Sequence, residues 1–238
     1  MPEMTQESTI AAQLRDEILR GQYRRGERLP SERDLAERFG VHRSTVRAAV
    51  KRLEQLGIAD VRPGGARVNP IEEASLEVLG PWLALEDPPD AELVDQTLDA
   101  MNGFLAHVAR VGTERASDEE QAALVAILDE MIETKPSERR RGELFAELSA
   151  AFVAASGNPV LAILRHGLRT RYSDFVLPDA RRKTASNVEL APGLKRLRTA
   201  VRKRSGAEAA ETIYTLVSLI RTSIRASLAR RTRENTAR

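Results

Sequence analysis

The stretch that decides the fold is Leu29-Pro-Ser-Glu-Arg-Asp-Leu-Ala-Glu-Arg-Phe-Gly40-Val-His-Arg-Ser-Thr-Val-Arg-Ala-Ala-Val-Lys-Arg-Leu53. It contains two short amphipathic segments joined at Gly40. Ser31, with Asp34 three residues later, is typical of a helix start, because these side chains can satisfy the free N–H groups of the first turn. Gly40 and Gly57 are placed to end the first and second segments. The stretch therefore predicts a helix-turn-helix.

The second helix should begin near His42 or Arg43 and bury one face. Its apolar positions recur at helical spacing and are Val46, Ala49, Val50 and Leu53. Ser44, Arg47 and Lys51 fall on the other side, where short hydroxyls and long cations suit phosphates and base edges. A charged helix face can also be merely solvated, but here the cap, the glycine turn and the cationic face occur together. We therefore predict a DNA recognition helix.

A hairpin is expected after this helix. Residues 58–62 and 66–68 are short strand-like runs on either side of Pro63-Gly64-Gly65, and a glycine pair between such runs favours a tight turn. Upstream, Ile10, Leu14 and Ile18 predict an amphipathic helix that ends near Gly21. Three helices followed by a hairpin predict a winged helix-turn-helix.

Residues 7–69 resemble the DNA-binding domain of the GntR family of bacterial repressors. The matching text is Gly26-Glu-Arg-Leu-Pro-Ser-Glu-Arg-Asp-Leu-Ala36, Gly40-Val41 and Arg43-Ser-Thr-Val-Arg47. The resemblance implies a homodimer on double-stranded DNA with a short GT…AC palindrome, in which an arginine can bind guanine with two hydrogen bonds. The residues that it assigns to DNA contact are Arg33, Arg43, Ser44, Thr45 and Arg47, with Gly64 and Gly65 at the wing tip.

His42 departs from the family pattern, which usually has Ser or Thr at the N-cap of the recognition helix. A histidine caps less well and could contact a phosphate or a base edge, so we include it in the predicted DNA surface. Lys51, further along the same helix, is predicted to contact phosphate.

Composition limits the class of protein. The chain of 238 residues has room for two domains, and its formal net charge of +2 argues against binding nucleic acid through bulk charge. It contains no cysteine, which is consistent with a reducing cytoplasm. Neither a signal peptide nor an apolar run of about 20 residues is visible, so we expect a cytoplasmic protein without membrane contact.

Residues 74–230 are predicted to form an all-helical bundle, which makes the whole chain mainly α. Apolar residues recur at helical spacing throughout this part, and Pro70 marks the join. One predicted stripe consists of Val160, Leu164, Leu168, Tyr172 and Phe175. Together with the phrase Ala155-Ser-Gly-Asn-Pro-Val-Leu161, the helix pattern resembles the FCD ligand-sensing domain of the FadR branch of the family.

Many FCD domains hold a divalent metal with one Asp and three His. The resemblance places those positions at Phe145, Ser149, Leu194 and Ser218, and none of the four residues is such a ligand. His107 and His166 lie away from the apolar stripes of their helices and are expected at the surface or at an interface. We therefore expect neither a metal nor another cofactor.

A small-molecule effector, anionic in character, is expected in the bundle instead. Arg171 lies at the edge of an apolar stripe, where a cation needs an internal carboxylate or an anionic ligand as partner, and Arg221 is a similar candidate. Ser149 and Ser218 could line a pocket. Met101, which stands where an arginine is common in related bundles, completes the predicted effector residues. An internal salt bridge is the alternative interpretation of both arginines.

These patterns predict a dimeric transcriptional repressor that responds to an effector. The alternative is a DNA-binding regulator whose bundle is a ligand-free dimerisation module, and a well-formed cavity with converging polar groups would count against it. An enzyme is not expected, because the sequence shows no cysteine, paired histidines, phosphate-binding glycine loop or Ser-His-Asp arrangement.

Overall fold

A computed structural model describes the backbone of residues 5–172 and 185–236 and the side chains of residues 5–168 and 185–234. The chain forms two compact units, residues 1–85 and 86–238. The first unit contains α1 (Gln6–Leu19), α2 (Glu32–Phe39), α3 (Arg43–Gln55), β1 (Ala59–Arg62), β2 (Gly65–Val68), two 3-10 turns (Ile71–Glu73 and Leu76–Val78) and α4 (Leu79–Leu83). The predicted winged helix-turn-helix is confirmed.

The ends of α2 and α3 follow the local sequence. The Ser31 side chain accepts a hydrogen bond from the Asp34 N–H at the start of α2. Gly40 ends that helix in the left-handed region, with φ of 64°. After α3, Gly57 has φ of 73°, and a Cβ at this position would collide with the Glu73 carbonyl oxygen. Both glycines are therefore required by backbone geometry.

The first core joins the three helices to the hairpin. Leu14, Leu35, Val46 and Leu53 are fully buried where α1, α2 and α3 meet. Each of the three leucines contributes about 1.5–3 kcal/mol of apolar burial to stability. Because this face of α3 is fixed against α1 and α2, its opposite face is held at the surface.

The hairpin pairs β1 with β2 in antiparallel register, with Ala59 opposite Val68 and Arg62 opposite Gly65. Residues 26–29 lie along the other edge of β2, where the Leu29 N–H donates to the Ala66 carbonyl at 2.9 Å. These contacts tie the wing to the segment that precedes α2.

Residues 70–85 belong with the first unit. The Ser75 N–H donates to the Leu56 carbonyl at 2.8 Å, and Val78 is buried in the first core. Although Pro70 interrupts regular structure as the sequence suggests, these contacts extend the unit to Leu85.

The second unit is helical throughout its described part. Its helices are α5 (Ala91–Arg115), α6 (Asp118–Glu133), α7 (Glu138–Ser156), α8 (Pro159–Tyr172), α9 (Asn187–Arg202) and α10 (Gly206–Thr236). The helix α5 packs against α7 and α10, while α9 packs against α6 and α10. This arrangement confirms the predicted bundle.

Close helix contact in the bundle depends on glycine. A Cβ on Gly112 of α5 would lie 2.9 Å from the Phe152 Cα of α7. On Gly193 of α9 it would lie 2.5 Å from a methyl carbon of Leu216 in α10. Gly112 therefore lets the backbones of α5 and α7 approach one another, and Gly193 leaves room for the Leu216 side chain.

The apolar stripe predicted for α8 is wrong in its first half. Val160 is 58% exposed and Leu164 is 44% exposed, whereas Leu161 is buried. The helix makes its main contact with α7, along the side that carries Leu161. Periodicity identified the helix but not the side that packs. The side chain of Tyr172 and all of Phe175 lie outside the described residues.

A membrane-spanning helix, which would have to be both long and apolar, does not occur among residues 5–172 and 185–236.

Candidate nucleic-acid interface and bundle cavity

The outward face of α3 carries the predicted DNA residues. Arg43, Ser44, Arg47 and Lys51 are exposed, and Thr45 is half-buried. The first two lie in the first turn, so their side chains stand near the free N–H groups of the helix N-terminus. This face can therefore donate hydrogen bonds to phosphate oxygens or to base acceptors.

His42 is the N-cap residue of α3, and its side chain makes no capping hydrogen bond. It is exposed, with φ of −72° and ψ of 150° in the extended region. This position agrees with the prediction that a histidine caps poorly here. The imidazole is accessible to a ligand beside Arg43.

An ion pair between the two helices of the motif was not predicted. Glu32, the first residue of α2, accepts hydrogen bonds from Arg47 Nε at 3.0 Å and from an Arg47 terminal nitrogen at 2.8 Å. Hydrogen bonding to Arg47 holds the pKa of Glu32 below its ordinary value, and the charges of Arg47 and Arg43 act in the same direction. The carboxylate is therefore ionised at neutral pH and shares the surface with two predicted DNA-contacting arginines.

Arg33 is exposed on the first turn of α2, next to this pair. Its Nε lies 3.3 Å from Asp34 Oδ1, and its side chain is 73% exposed. Such an exposed neighbour pair contributes little energy, so Arg33 can turn to an anion at small cost.

The wing tip consists of Pro63, Gly64 and Gly65, all exposed. Gly64 and Gly65 have φ of 106° and 121°, which are unfavourable for residues with a Cβ. A Cβ on Gly65 would lie 2.8 Å from Arg28 Nε, so the bare backbone leaves room for this guanidinium. The sequence did not predict that Arg28 lies at the wing. In the fold, the Arg28 backbone pairs with Arg67 of β2, and this pairing brings the charge of Arg28 to the wing.

The bundle forms a partly open cavity of about 510 Å³. Its wall is formed by α5, α7, α9 and α10 and is mostly apolar; the residues include Leu98, Met101, Leu105, Phe152, Ile213 and Ile220. Its polar residues all come from α7 and are Glu138, Arg139, Arg141, Glu143 and Ser149. The volume lies within the range of small-molecule sites.

Arg141 is the buried cation of this wall, with 8% of its surface exposed. One terminal nitrogen donates to Asn187 Oδ1 at 2.8 Å, and the other lies 3.8 Å from Glu138 Oε1. Asn187 in turn donates to the Pro136 carbonyl at 3.0 Å. The guanidinium is therefore positioned by contacts from α7 and α9. This position is not apparent from the sequence, because Arg141 lies in a run of three arginines that suggests a solvated helix end.

The predicted effector residues fall into separate groups. Met101 and Ser149 line the cavity, and Ser149 Oγ accepts from Arg165 Nε at 3.3 Å. Ser218 Oγ instead accepts from Asn102 Nδ2 at 3.1 Å, in the contact between α5 and α10. Arg221 binds Asp95 with two contacts of 2.6 Å, which favours the salt-bridge interpretation for this residue. The side chain of Arg171 lies outside the described residues.

The positions that hold a metal in many FCD domains do not fit one here. Phe145 offers no donor atom, and Ser149 accepts a hydrogen bond from Arg165. His107 and His166 are both exposed. Across the described ranges, no three His, Cys, Asp or Glu side chains gather closely enough to bind a metal. These residues therefore support no metal chemistry in the cavity.

Two protein-family models match the chain. The model described as bacterial regulatory proteins, gntR family, matches residues 6–68. The FCD domain model matches residues 96–219, which is more than half of the chain. The first match covers α1 to the end of the wing, and the second covers most of the helices that surround the cavity.

Named relatives are transcriptional regulators. An HTH-type transcriptional regulator of Mycobacterium tuberculosis is 33% identical over 50% of this chain and 49% of that protein. The fatty acid metabolism regulator protein of Shewanella pealeana is 33% identical over 62% of this chain and 61% of that protein. The chain thus spans about half to three fifths of the length of these relatives. Lar, which controls the expression of the Listeria monocytogenes agr system, has a solved structure with 16% sequence identity to this chain. The TM-score is 0.56, and the match covers 97% of this chain and 99% of Lar. This similarity concerns the fold alone.

Proposed function

Because the chain belongs to the GntR family of bacterial regulatory proteins and carries an FCD domain, we propose that it is a dimeric repressor of transcription that an amphipathic anion releases from its operator. As a regulator of chromosomal genes it would act in the cytoplasm. The observation that carries the DNA-binding part is the exposed cationic face of α3, which is fixed by burial of the opposite face.

The proposed DNA contacts are those predicted from the sequence. Arg43 and Ser44, in the first turn of α3, are placed to reach base edges in the major groove. Arg33, His42, Thr45, Arg47 and Lys51 would contact neighbouring bases or phosphates, and Gly64 and Gly65 would let the wing backbone approach the minor groove. A guanine contact by arginine agrees with a GT…AC operator.

A homodimer is proposed because a short palindrome presents two identical half-sites. Two copies related by a twofold axis can each place one α3 in successive turns of the major groove. The second unit is the proposed dimerisation region as well as the effector-binding domain.

The proposed effector is a fatty-acid-like carboxylate. The apolar wall of the cavity suits a hydrocarbon chain, and the buried Arg141 suits a carboxylate head group. The printed name of the Shewanella pealeana relative supports a ligand of this class. Met101 would contact the chain of the ligand, and Ser149 would lie near its polar end. The cavity also argues against the alternative of a ligand-free dimerisation module.

Binding-site selection from random duplex DNA tests the DNA-binding part. We expect the full chain to enrich a short GT…AC palindrome, because two α3 helices would each recognise one half-site. Recovery of no common sequence would contradict sequence-specific binding. Sedimentation with the selected duplex should give two chains per duplex, and one chain per duplex would contradict the dimer.

The effector part is tested by adding dodecanoate or hexadecanoate to the operator complex, with dodecanol as an uncharged control of the same chain length as the shorter acid. We expect the acids to release the DNA and the alcohol to have little effect, because Arg141 selects an anion. Ser149→Trp should fill the cavity and abolish the response, whereas Ala154→Trp, an exposed site on the same helix, should retain it. An operator complex that is insensitive to both acids in the unaltered protein would contradict this ligand class.

A further inference from the structure

Glu32 and Arg47 form a bidentate ion pair at the proposed DNA-binding surface. The carboxylate uses both oxygens to accept from two nitrogens of one guanidinium, at 3.0 and 2.8 Å. Such paired contacts fix the orientation of the arginine as well as its position. They connect the first turn of α2 to the middle of α3, fifteen residues later.

The pair is accessible to DNA. The Arg47 side chain is 73% exposed and that of Glu32 is 36% exposed, so neither is held in the core. Arg43 also acts on the Glu32 carboxylate through its charge. An anionic group thus lies among the cations that the proposed function assigns to DNA contact.

A carboxylate in this position affects backbone binding and base binding differently. A free guanidinium binds any phosphate, and this attraction is independent of sequence. A guanidinium already paired with Glu32 must leave its partner, or else bring the carboxylate close to the anionic backbone. At a G·C pair, by contrast, guanine offers acceptors to arginine, and the cytosine amino group is a donor that a glutamate can accept.

We propose that Glu32 is a specificity-determining residue, which holds Arg47 so that binding to the DNA backbone in general is weakened while binding to a G·C edge is retained. The inference rests on the proposed function, since it requires that Arg47 meets DNA. Glu32 acts here through Arg47 and is a positioning residue for it.

The test compares Glu32→Gln with Glu37→Gln in the full chain. Glu37 lies on the same helix and is exposed, so its substitution makes the same change in net charge away from Arg47. Affinities are measured for the selected operator and for a scrambled duplex of equal length, across a range of salt concentrations. Glu32→Gln should tighten binding to scrambled DNA about fivefold and change operator binding by less than about twofold, since exposed ion pairs contribute energies of this order. Glu37→Gln should change both affinities by one common factor.

A double-mutant cycle separates this role from a general effect of charge. In an Arg47→Ala background, Glu32→Gln should no longer change the ratio of operator to scrambled affinity, because the arginine that it positions is gone. The inference is overturned if the Glu32→Gln and Glu37→Gln variants have the same ratio of operator affinity to scrambled-duplex affinity. It is also overturned if the effect of Glu32→Gln on this ratio persists in the Arg47→Ala background. If the unaltered protein itself fails to discriminate the two duplexes, the proposed function fails and the inference fails with it.

Discussion

The proposed DNA-binding surface lies mainly on one helix of thirteen residues, whereas the cavity takes its wall from four helices between Leu98 and Ile224. On α3, Ser44, Arg47 and Lys51 follow one another at intervals of about one turn, and the helix period alone places them on one side. In the bundle, Met101 and Ile220 are far apart in sequence and line the same cavity only because α5 packs against α10. Local sequence therefore specifies the surface, while tertiary packing creates the cavity.

The two regions also differ in what a substitution should disturb. An exposed side chain on α3 can be removed without loss of packing, so its effect should appear in DNA affinity. A residue of the cavity wall packs on its neighbours as well, so ligand binding and stability are coupled there.

Phe152→Ala should lower the free energy of unfolding of the second unit by about 3–5 kcal/mol, because the ring is buried and the space it leaves cannot fully collapse. The single tryptophan, Trp82, lies in the first unit. We therefore expect the transition followed by helical circular dichroism to shift, while the transition followed by Trp82 fluorescence stays in place. Equal shifts with both probes would show that the units unfold together and would contradict the comparison.

Glu17→Met should lower the free energy of unfolding of the first unit by about 1.5–3 kcal/mol, because the hydrogen bonds between the Glu17 carboxylate and the charged Arg38 are lost. Glu17 is buried on α1 and accepts from Arg38 on α2, at 3.0 Å for one contact, and from Gln13 at 3.2 Å. Here the Trp82 transition should shift most. Glu37→Met, on the exposed side of α2, is the matched control and should change stability little.

The effect of Glu17 should also depend on pH. Burial raises the pKa of Glu17, but hydrogen bonds from Arg38 and Gln13 outweigh it and leave the pKa below its ordinary value. The stabilisation is therefore present above the ordinary glutamate pKa and is lost as the pH falls through the lowered pKa of the folded state. Denaturant unfolding at a series of acidic pH values should show the difference from Glu17→Met shrinking, and a difference that grows in acid would contradict this assignment.

Arg43→Ala should weaken operator binding by about 1–3 kcal/mol if it binds a guanine with two hydrogen bonds. Lys51→Ala should weaken operator and random DNA alike, because phosphate contacts carry no sequence information. Equilibrium binding to both duplexes measures the two effects. An equal loss on both duplexes for Arg43→Ala would remove its role in base recognition.

Two glycines of α5 give the smallest and most discriminating test. Gly103→Ala should stabilise the bundle by up to about 1 kcal/mol, since the added methyl meets open space and alanine favours a helix. Gly112→Ala gains the same helix propensity, but its added methyl group collides with backbone atoms of Phe152. Backbone atoms cannot move aside as the flexible end of a side chain can. We expect a net loss of about 1–2 kcal/mol from overpacking. Stabilisation by both variants in thermal unfolding would contradict the close approach of α5 and α7.

The helix-turn-helix could be predicted almost residue by residue. Ser31 caps α2, Gly40 ends it, and the buried face of α3 is the one that periodicity indicates. Glu32 was nevertheless missed, because an acidic residue in a first turn is common for helix stability alone. Its contact with Arg47 depends on the crossing of two helices, which local sequence does not specify.

The bundle was predictable as a set of helices and less so as a site. The sequence placed Met101 and Ser149 among the effector residues, and both line the cavity. It also grouped Ser218 and Arg221 with them, but these bind Asn102 and Asp95 within the helix contacts. A polar residue at the edge of an apolar stripe can face either a cavity or a neighbouring helix, and periodicity does not distinguish the two.

By itself, the sequence determined the class of each region, because capping residues, glycines at left-handed positions and apolar periodicity act over a few residues. It also determined which face of α3 is buried and which is exposed, and the exposed face is the one proposed to meet DNA. The tertiary structure decided that Glu32 holds Arg47, that Arg141 is buried in a cavity wall, and that α8 packs through Leu161 and leaves Val160 exposed. These features depend on which helix surfaces meet at distances of a few ångströms, and such contacts are fixed by packing of the whole unit.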